Sequence, residues 1–384
     1  TDKGLTWEII SPDLTTNDPE KQTYIKSGGL TLDVTGAENH TTILAIAVSP
    51  VEKGVIWVGT DDGNVQLTRD AGENWTNVSS NLPGLPAGCW IPQVRASGYS
   101  AGEAWVVANN YRMGDFNPYV YHTKDYGASW ESIADGDDVI GYALSVLQDP
   151  VEPKLVFLGT EHGLWVSIDN AGTWTQWKHG YPSVSTMDMV IQEREADLVL
   201  GTFGRAVFVL DDIRPLREIA RTGGEAIKKK FKVFDPPEAI MIRNMQQPAG
   251  NHFAGDATYE GENKISGGIL TYYLEEQEKK DVEKANPPKG NVEKKGKRDK
   301  SGLADDEKEQ QPECDSVKLM VYDGDELIRT LVYKAEPGLN KVTWRLHKKG
   351  VRFPNPWAAR YGGRGRSGSR RGEPAGYIVM PGEY

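Results

Sequence analysis

Two cysteines in 384 residues, Cys89 and Cys314, exclude a disulfide framework and a C-x-x-C metal site. No run of eighteen apolar residues occurs, so no transmembrane helix is expected. Long helical periodicities are scarce as well. The formal net charge of −11 argues against a chain built to hold a nucleic-acid backbone. What the chain has in quantity is glycine (42) and tryptophan (11), which with the missing helical patterns points to an all-β protein. The length fits about two or three domains.

The organising stretch is Val55–Trp75. A β-branched run (55–59) leads through Thr60-Asp61-Asp62-Gly63-Asn64 into a second run (65–68), then a turn, Asp70-Ala71-Gly72-Glu73-Asn74, closed by Trp75. Such runs bounded by Gly, Asn and Asp read as antiparallel strands joined by hairpins. The turn recurs as Asp125, Gly127 and Trp130, then as Asp169 and Trp174 with Ala171 in the glycine's place. Asp2, Gly4 and Trp7 make a fourth copy, cut at its front edge. The aspartate can accept backbone N–H groups inside the turn, and glycine admits its positive φ. The tryptophan is expected to plug the hairpin onto the sheet. These four copies resemble the Asp-box (BNR) repeat.

The four tryptophans are spaced by 68, 55 and 44 residues, as fits four-stranded propeller blades with insertions. Ser49-Pro50-Val51-Glu52 and Asp149-Pro150-Val151-Glu152 precede equivalent strands, and the Gly-Thr pairs at 59–60, 159–160 and 201–202 end them. The expected fold is a partial β-propeller over residues 1–215, about four blades plus the tail of an earlier one, with further blades upstream of Thr1. Residues 216–265 read as a connector that opens with a short helix at Leu216–Ala220.

Residues 266–384 carry strand signals at 268–274, 316–322, 327–333 and 341–346. They are interrupted by a Glu/Lys/Asp-rich insertion, 275–313, expected to be mobile. The order of strands, with the ending Pro381-Gly382-Glu383-Tyr384, resembles the small immunoglobulin-like sandwich at the ends of secreted bacterial proteins. In that family a last strand follows the tyrosine, so the sandwich is expected to be incomplete. A Gly/Arg-rich stretch from Arg352 to Arg371 reads as a solvated loop in an acidic chain.

In a propeller the turns between second and third strands share a face with the inter-blade connections, and binding sites open there. That face would gather Asp61, Asp62, Asn110, Tyr111, Arg112, Glu161, His162 and Arg205, with His40, Trp90 and Arg95 from the connections. Trp90 or Tyr111 would suit stacking on a sugar ring, and Asp61 or Asp62 with Glu161 would make an acid–base pair. The competing reading is that Asp and Gly recur there because turns want them. No ligand spacing supports a metal site, and no cofactor is implied. Arg95, Arg112 and Arg205 invite comparison with the sialidase arginine triad, but no tyrosine–glutamate pair accompanies them.

The combination resembles the sortilin-type propellers and equally the xyloglucanase-type glycoside hydrolases. The second family uses two aspartates from different propellers, one in an Asp-x-Gly-Gly turn. Asp61 is the nearest match here, with Asn64 replacing the second glycine. The resemblance implies a secreted, cell-surface or periplasmic protein binding glycan or peptide at the propeller mouth. The alternative is a glycoside hydrolase, or part of one.

Overall fold

The computed structural model describes residues 4–22, 40–241, 264–275, 316–351 and 373–384. The chain forms two compact units, Thr1–Ala226 and Ile227–Tyr384. All of the insertion at 275–313 but Glu275, and the arginine cluster at 352–371, lie outside the described residues.

The first unit holds four antiparallel sheets. Strands β1 (Ile43–Val48), β2 (Ile56–Thr60), β3 (Val65–Thr68) and β4 (Thr76–Asn77) form sheet 1 in sequence order. Sheet 2 contains β5 (Trp90–Ala96), β6 (Ala104–Asn110), β7 (Asp115–Thr123) and β8 (Glu131–Ser132). Sheet 3 contains β9 (Ala143–Gln148), β10 (Val156–Thr160), β11 (Gly163–Ser167) and β12 (Thr175–Trp177). Sheet 4 has three strands among the described residues: β13 (Thr186–Gln192), β14 (Asp197–Thr202) and β15 (Val207–Leu210).

The first strand of each sheet packs on the first two strands of the sheet before it, which makes the four sheets blades of a partial β-propeller. Two junctions are apolar cores: Trp57, Leu67, Ile91, Val94 and Trp130 between sheets 1 and 2, and Trp105, Val107, Val146, Leu158 and Trp165 between sheets 2 and 3. Glycine sets the approach. A Cβ on Gly59 would stand 2.6 Å from Ile91 Cγ2, and one on Gly159 would strike Ser145 Oγ and lie 2.6 Å from Thr186 O.

The repeated turn lies between the third and fourth strands and is wired identically three times. Asp70 Oδ1 accepts the Thr68 hydroxyl (2.8 Å) and the Asn74 N–H (2.9 Å), while Thr68 Oγ1 accepts the Gly72 N–H (2.9 Å). Asp125 with Thr123 and Ser129 repeats this, as does Asp169 with Ser167 and Thr173. The residue two after the aspartate has φ of 103° at Gly72, 75° at Gly127 and 66° at Ala171. Ala171 thus holds a left-handed conformation that glycine adopts more cheaply.

The tryptophans act between blades. Trp75 Nε1 donates to Ile10 O (2.9 Å) and Trp174 Nε1 to Ile133 O (2.7 Å), in each case the residue three after the preceding tryptophan. Trp130 instead meets Trp57 edge-on at 5.9 Å, and Asn81 Nδ2 ties that junction through Gly127 O (2.8 Å). The fourth copy departs from expectation. Asp2 lies outside the described residues, and Trp7 is 91% exposed.

The helix α1 (Arg214–Arg221) buries Leu216, Ile219 and Ala220 and inserts Arg217 beside Asp149 in the β9–β10 turn. Pro215 at its first turn suits a position whose N–H needs no partner.

The second unit is also all β. Its strands are β16 (Phe231–Val233), β17 (Gly268–Leu274), β18 (Ser316–Asp323), β19 (Glu326–Lys334), β20 (Gly338–Trp344), β21 (His347–Lys349) and β22 (Ala375–Ile378). They pair as β16-β17-β20, β18-β19 and β21-β22. β16 falls in the stretch read as connector; it pairs through Lys232 with Tyr273. The β18–β19 turn carries Gly324 at φ 59°, and Val321, Ile328, Trp344 and Val379 form the core.

Candidate functional site

The rim between sheets 2 and 3 is where the chain concentrates aromatic and charged side chains. A one-turn 3-10 helix, Tyr111–Met113, follows β6 and ends on Gly114 at φ 77°. Asp115 braces the loop: its carboxylate accepts the Tyr119 hydroxyl (2.8 Å), the Asn117 side-chain amide (2.9 Å) and the Asn110 amide (3.3 Å). Burial pushes this carboxyl up, but the bonds from Tyr119, Asn117 and Asn110 outweigh it and hold it below the ordinary carboxylate value.

The braced loop lays down a stack. Arg112 Cζ lies 3.0 Å above the Trp90 ring and 4.6 Å from the Tyr111 ring. Tyr111 stacks on Tyr142 at 4.5 Å with 21° between planes, and Phe116 meets Tyr142 at 6.2 Å and 45°. Phe116 is 55% exposed. Tyr142 is shifted up by burial and then by the charge of Glu161, with Arg112 opposing, so Glu161 belongs to the same neighbourhood. His162 lies beside it, Nε2 3.9 Å from Glu161 Oε2.

The other residues singled out by sequence sit elsewhere. Asp61 and Asp62 are 3% and 4% exposed. Asp61 Oδ1 accepts the Thr42 N–H (2.7 Å), and Asp62 Oδ2 accepts the N–H and hydroxyl of Thr16 (2.6 and 2.7 Å), so both hold neighbouring chain in place. Burial raises the Asp61 carboxyl above its ordinary value; the Thr42 bond and His40 oppose this. His40 is 8% exposed, with Nδ1 unpaired among the described residues. Arg95 reaches across the inner strands to Asp188 Oδ1 (2.9 Å) and Met189 O (3.0 Å). Gln93 Oε1 accepts the Val146 N–H (2.7 Å), so one polar chain joins β5, β9 and β13. Arg205 stands exposed on the β14–β15 turn.

The rim therefore unites Trp90, Asn110, Tyr111, Arg112, Glu161 and His162 and leaves out Asp61, Asp62, His40, Arg95 and Arg205. Trp90 has one ring face covered by Arg112, and Tyr111 spends a face on Tyr142. Phe116 escaped the sequence reading, although a large apolar residue between Asp115 and Asn117 at a loop exit was a readable sign. Among the described residues no His, Cys, Asp and Glu cluster could hold a metal, and no helix is long and apolar enough to cross a membrane.

These features define a propeller with an aromatic rim. Comparison with known proteins narrows the kinship. The chain is 28% identical over 166 residues to the oligoxyloglucan-reducing end-specific xyloglucanase of Emericella nidulans, a match covering 39% of this chain and 19% of that protein. It thus spans about a fifth of that relative's length. Among solved structures, the GH74 xyloglucanase of Xanthomonas campestris aligns over 44% of this chain and 29% of its own (TM-score 0.35, 14% identity). YCF48 from Cyanidioschyzon merolae aligns over 44% and 52% (TM-score 0.33, 17% identity). No family model matches the chain.

Proposed function

We propose that this protein recognises a glycan on the rim between sheets 2 and 3, with Phe116 and Tyr142 as the stacking platform. The observation that carries the reading is the braced cluster of Tyr111, Tyr142 and Phe116, with Arg112 and Glu161 beside it. Sugar rings present C–H faces to aromatic rings and hydroxyls to carboxylates and guanidinium groups. The similarity to a xyloglucanase makes a xyloglucan-type oligosaccharide the first ligand to try. On this reading the repeated turn is the Asp box, the second unit is the immunoglobulin-like domain, and the protein works outside the cytoplasm, where polysaccharide is found.

Titration calorimetry of the full chain with xyloglucan oligosaccharides tests it. Phe116→Ala and Tyr142→Ala should each weaken binding about tenfold, or about 1.4 kcal/mol. Absence of binding, or affinity indifferent to both changes, would refute it.

A hydrolytic reading, in which Asp61 or Asp62 works with Glu161, gains support from one feature: burial raises the Asp61 carboxyl above its ordinary value, as a general acid requires. Turnover of the same oligosaccharides, abolished by Asp61→Asn, would establish this reading; full turnover in that variant would remove it.

A further inference from the structure

The sheets of the first unit are repeats, so each position can be compared with its counterparts. Val55, Glu103 and Leu155 stand at one such position: the carbonyl of each accepts the same turn N–H, from Ser49, Ser97 and Asp149. Leu67, His122 and Val166 stand at another, opposite Trp57, Trp105 and Phe157. Sheets 1 and 3 fill both places with buried aliphatic side chains. Sheet 2 fills them with an acid and a base.

The two are paired inside the protein. His122 Nε2 lies 2.8 Å from Glu103 Oε1, with side-chain exposures of 3% and 11%. The imidazole stacks on the Trp105 indole at 3.8 Å and 7°, and Trp105 belongs to the core between sheets 2 and 3. Ser97 stands against the Glu103 carboxylate, and its hydroxyl donates across the junction to Gln148 Oε1 (2.8 Å). Burial pushes the Glu103 carboxyl up, but the bonds from His122 and Ser97 and the charges of His122 and Lys124 outweigh it and hold it below the ordinary value.

The charged groups around the pair have partners of their own or face water. On sheet 2, Arg95 opposite Trp105 is bound to Asp188, and Glu131 opposite His122 is exposed, as is Lys124 after β7. From the sheet 3 side come Asp149, held by Arg217 of α1, and Glu152, 3.6 Å from Arg221. Asp169 is engaged in its own turn, and the Tyr99 hydroxyl donates to Asp149 O. Glu103 is thus the carboxylate that balances the His122 ring.

An aliphatic pair is indifferent to pH, and this pair is not. While Glu103 is ionised it accepts the hydrogen bond of the ring. In acid the carboxyl takes up a proton and the ring holds one of its own, which leaves a buried imidazolium without a counter-charge. The unfolded chain takes up both protons in water without that penalty. The contribution of Glu103 is therefore complete above the unfolded glutamate value of about 4.3 and is lost as pH falls below it.

We propose that the Glu103–His122 pair is an acid-sensitive latch on the junction between sheets 2 and 3, closed while the carboxyl is ionised and released when it is protonated. Glu103 lies just before β6, whose other end, Asn110, reaches the rim. The same junction carries the Tyr111–Tyr142 stack, so a ligand held there would be given up in acid. That consequence rests on the glycan reading, whereas the latch stands without it.

Thermal melts of the full chain in steps from pH 7 to pH 3.5, with no ligand added, test the latch. Two double variants remove the titrating pair. Glu103→Leu with His122→Leu takes residues that sibling sheets carry at these places, and Glu103→Gln with His122→Gln keeps a hydrogen bond that cannot titrate. Each should cut the wild-type fall in Tm between pH 7 and pH 3.5 by at least about 3 °C. Glu103→Gln alone leaves a buried ring without its carboxylate, so its loss should begin near the unfolded histidine value of about 6.5. A fall equal in the wild type and both double variants, or an onset for Glu103→Gln unchanged from the wild type, would overturn the proposal.

Discussion

Arg217 offers the sharpest energetic test of how the first unit is held together. Its Nε lies 2.9 and 3.1 Å from the two carboxylate oxygens of Asp149, and Nη2 lies 2.9 Å from Oδ2, though not aligned for a hydrogen bond. Side-chain exposure is 8% for the arginine and 0% for the aspartate. Asp149 Oδ1 also accepts the N–H groups of Val151 (2.8 Å) and Glu152 (2.7 Å), so its own turn holds the carboxylate as well as the helix does. Arg217→Ala would leave that charge buried without its cation, a loss of about 3–5 kcal/mol. With a urea m-value of about 3 kcal/mol/M, the midpoint should fall by about 1–1.7 M. Arg194→Ala is the control, since its ion pair with Glu195 is exposed and worth at most about 1 kcal/mol. A midpoint shift for Arg217→Ala no larger than the control's would refute the assignment of α1 as a clamp on sheet 3.

Three further outcomes concern the turns and the buried thiol of the first unit. Gly72→Ala would place a methyl group against the Ile10 carbonyl at a φ of 103°, so a loss of about 2 kcal/mol or more is expected in thermal melts. Asp70 is lowered to about 2 by the Asn74 side chain and backbone and by Thr68; Ser129 lowers Asp125 in the same way, and Asp169 is lowered despite burial. Their stabilising contribution is complete above the unfolded carboxylate value of about 4 and is lost as pH falls toward 2. Acid titration followed by circular dichroism should show that window, and Asp70→Asn should narrow it. Cys89 is fully buried and its thiol is pushed up to about 12 by burial and then by Asp115. In a Cys314→Ser background it should resist thiol reagents at pH 8 until the chain is unfolded.

How much was legible in the sequence depended on the range of the interactions. The three described turns were readable because none of their hydrogen bonds reaches more than four residues along the chain, as from Asp70 to Asn74. Strand positions followed from alternation and from the Gly-Thr landmarks. What sequence did not show was which surface each side chain would find. Trp90 looked like a sugar platform, but Arg112, 22 residues later, lies across its ring. Asp61 and Asp62 were read from sequence as partners of Glu161 on the rim, and their bonds to Thr42 and Thr16 in neighbouring segments were not readable there. Trp7 matched its siblings by motif yet is 91% exposed, where Trp130 is 8% exposed. Arg217 gave no sign of its partner because Asp149 lies 68 residues away. Phe116 matters only once Tyr142 from the next blade is beside it.

The central claim is that recognition sits at the junction of sheets 2 and 3. Hydrogen–deuterium exchange with and without saturating xyloglucan oligosaccharide measures this most directly. The account predicts ligand-dependent protection confined to residues 110–118, 140–143 and 161–163. Protection centred on residues 59–64, or no protection anywhere, would contradict it.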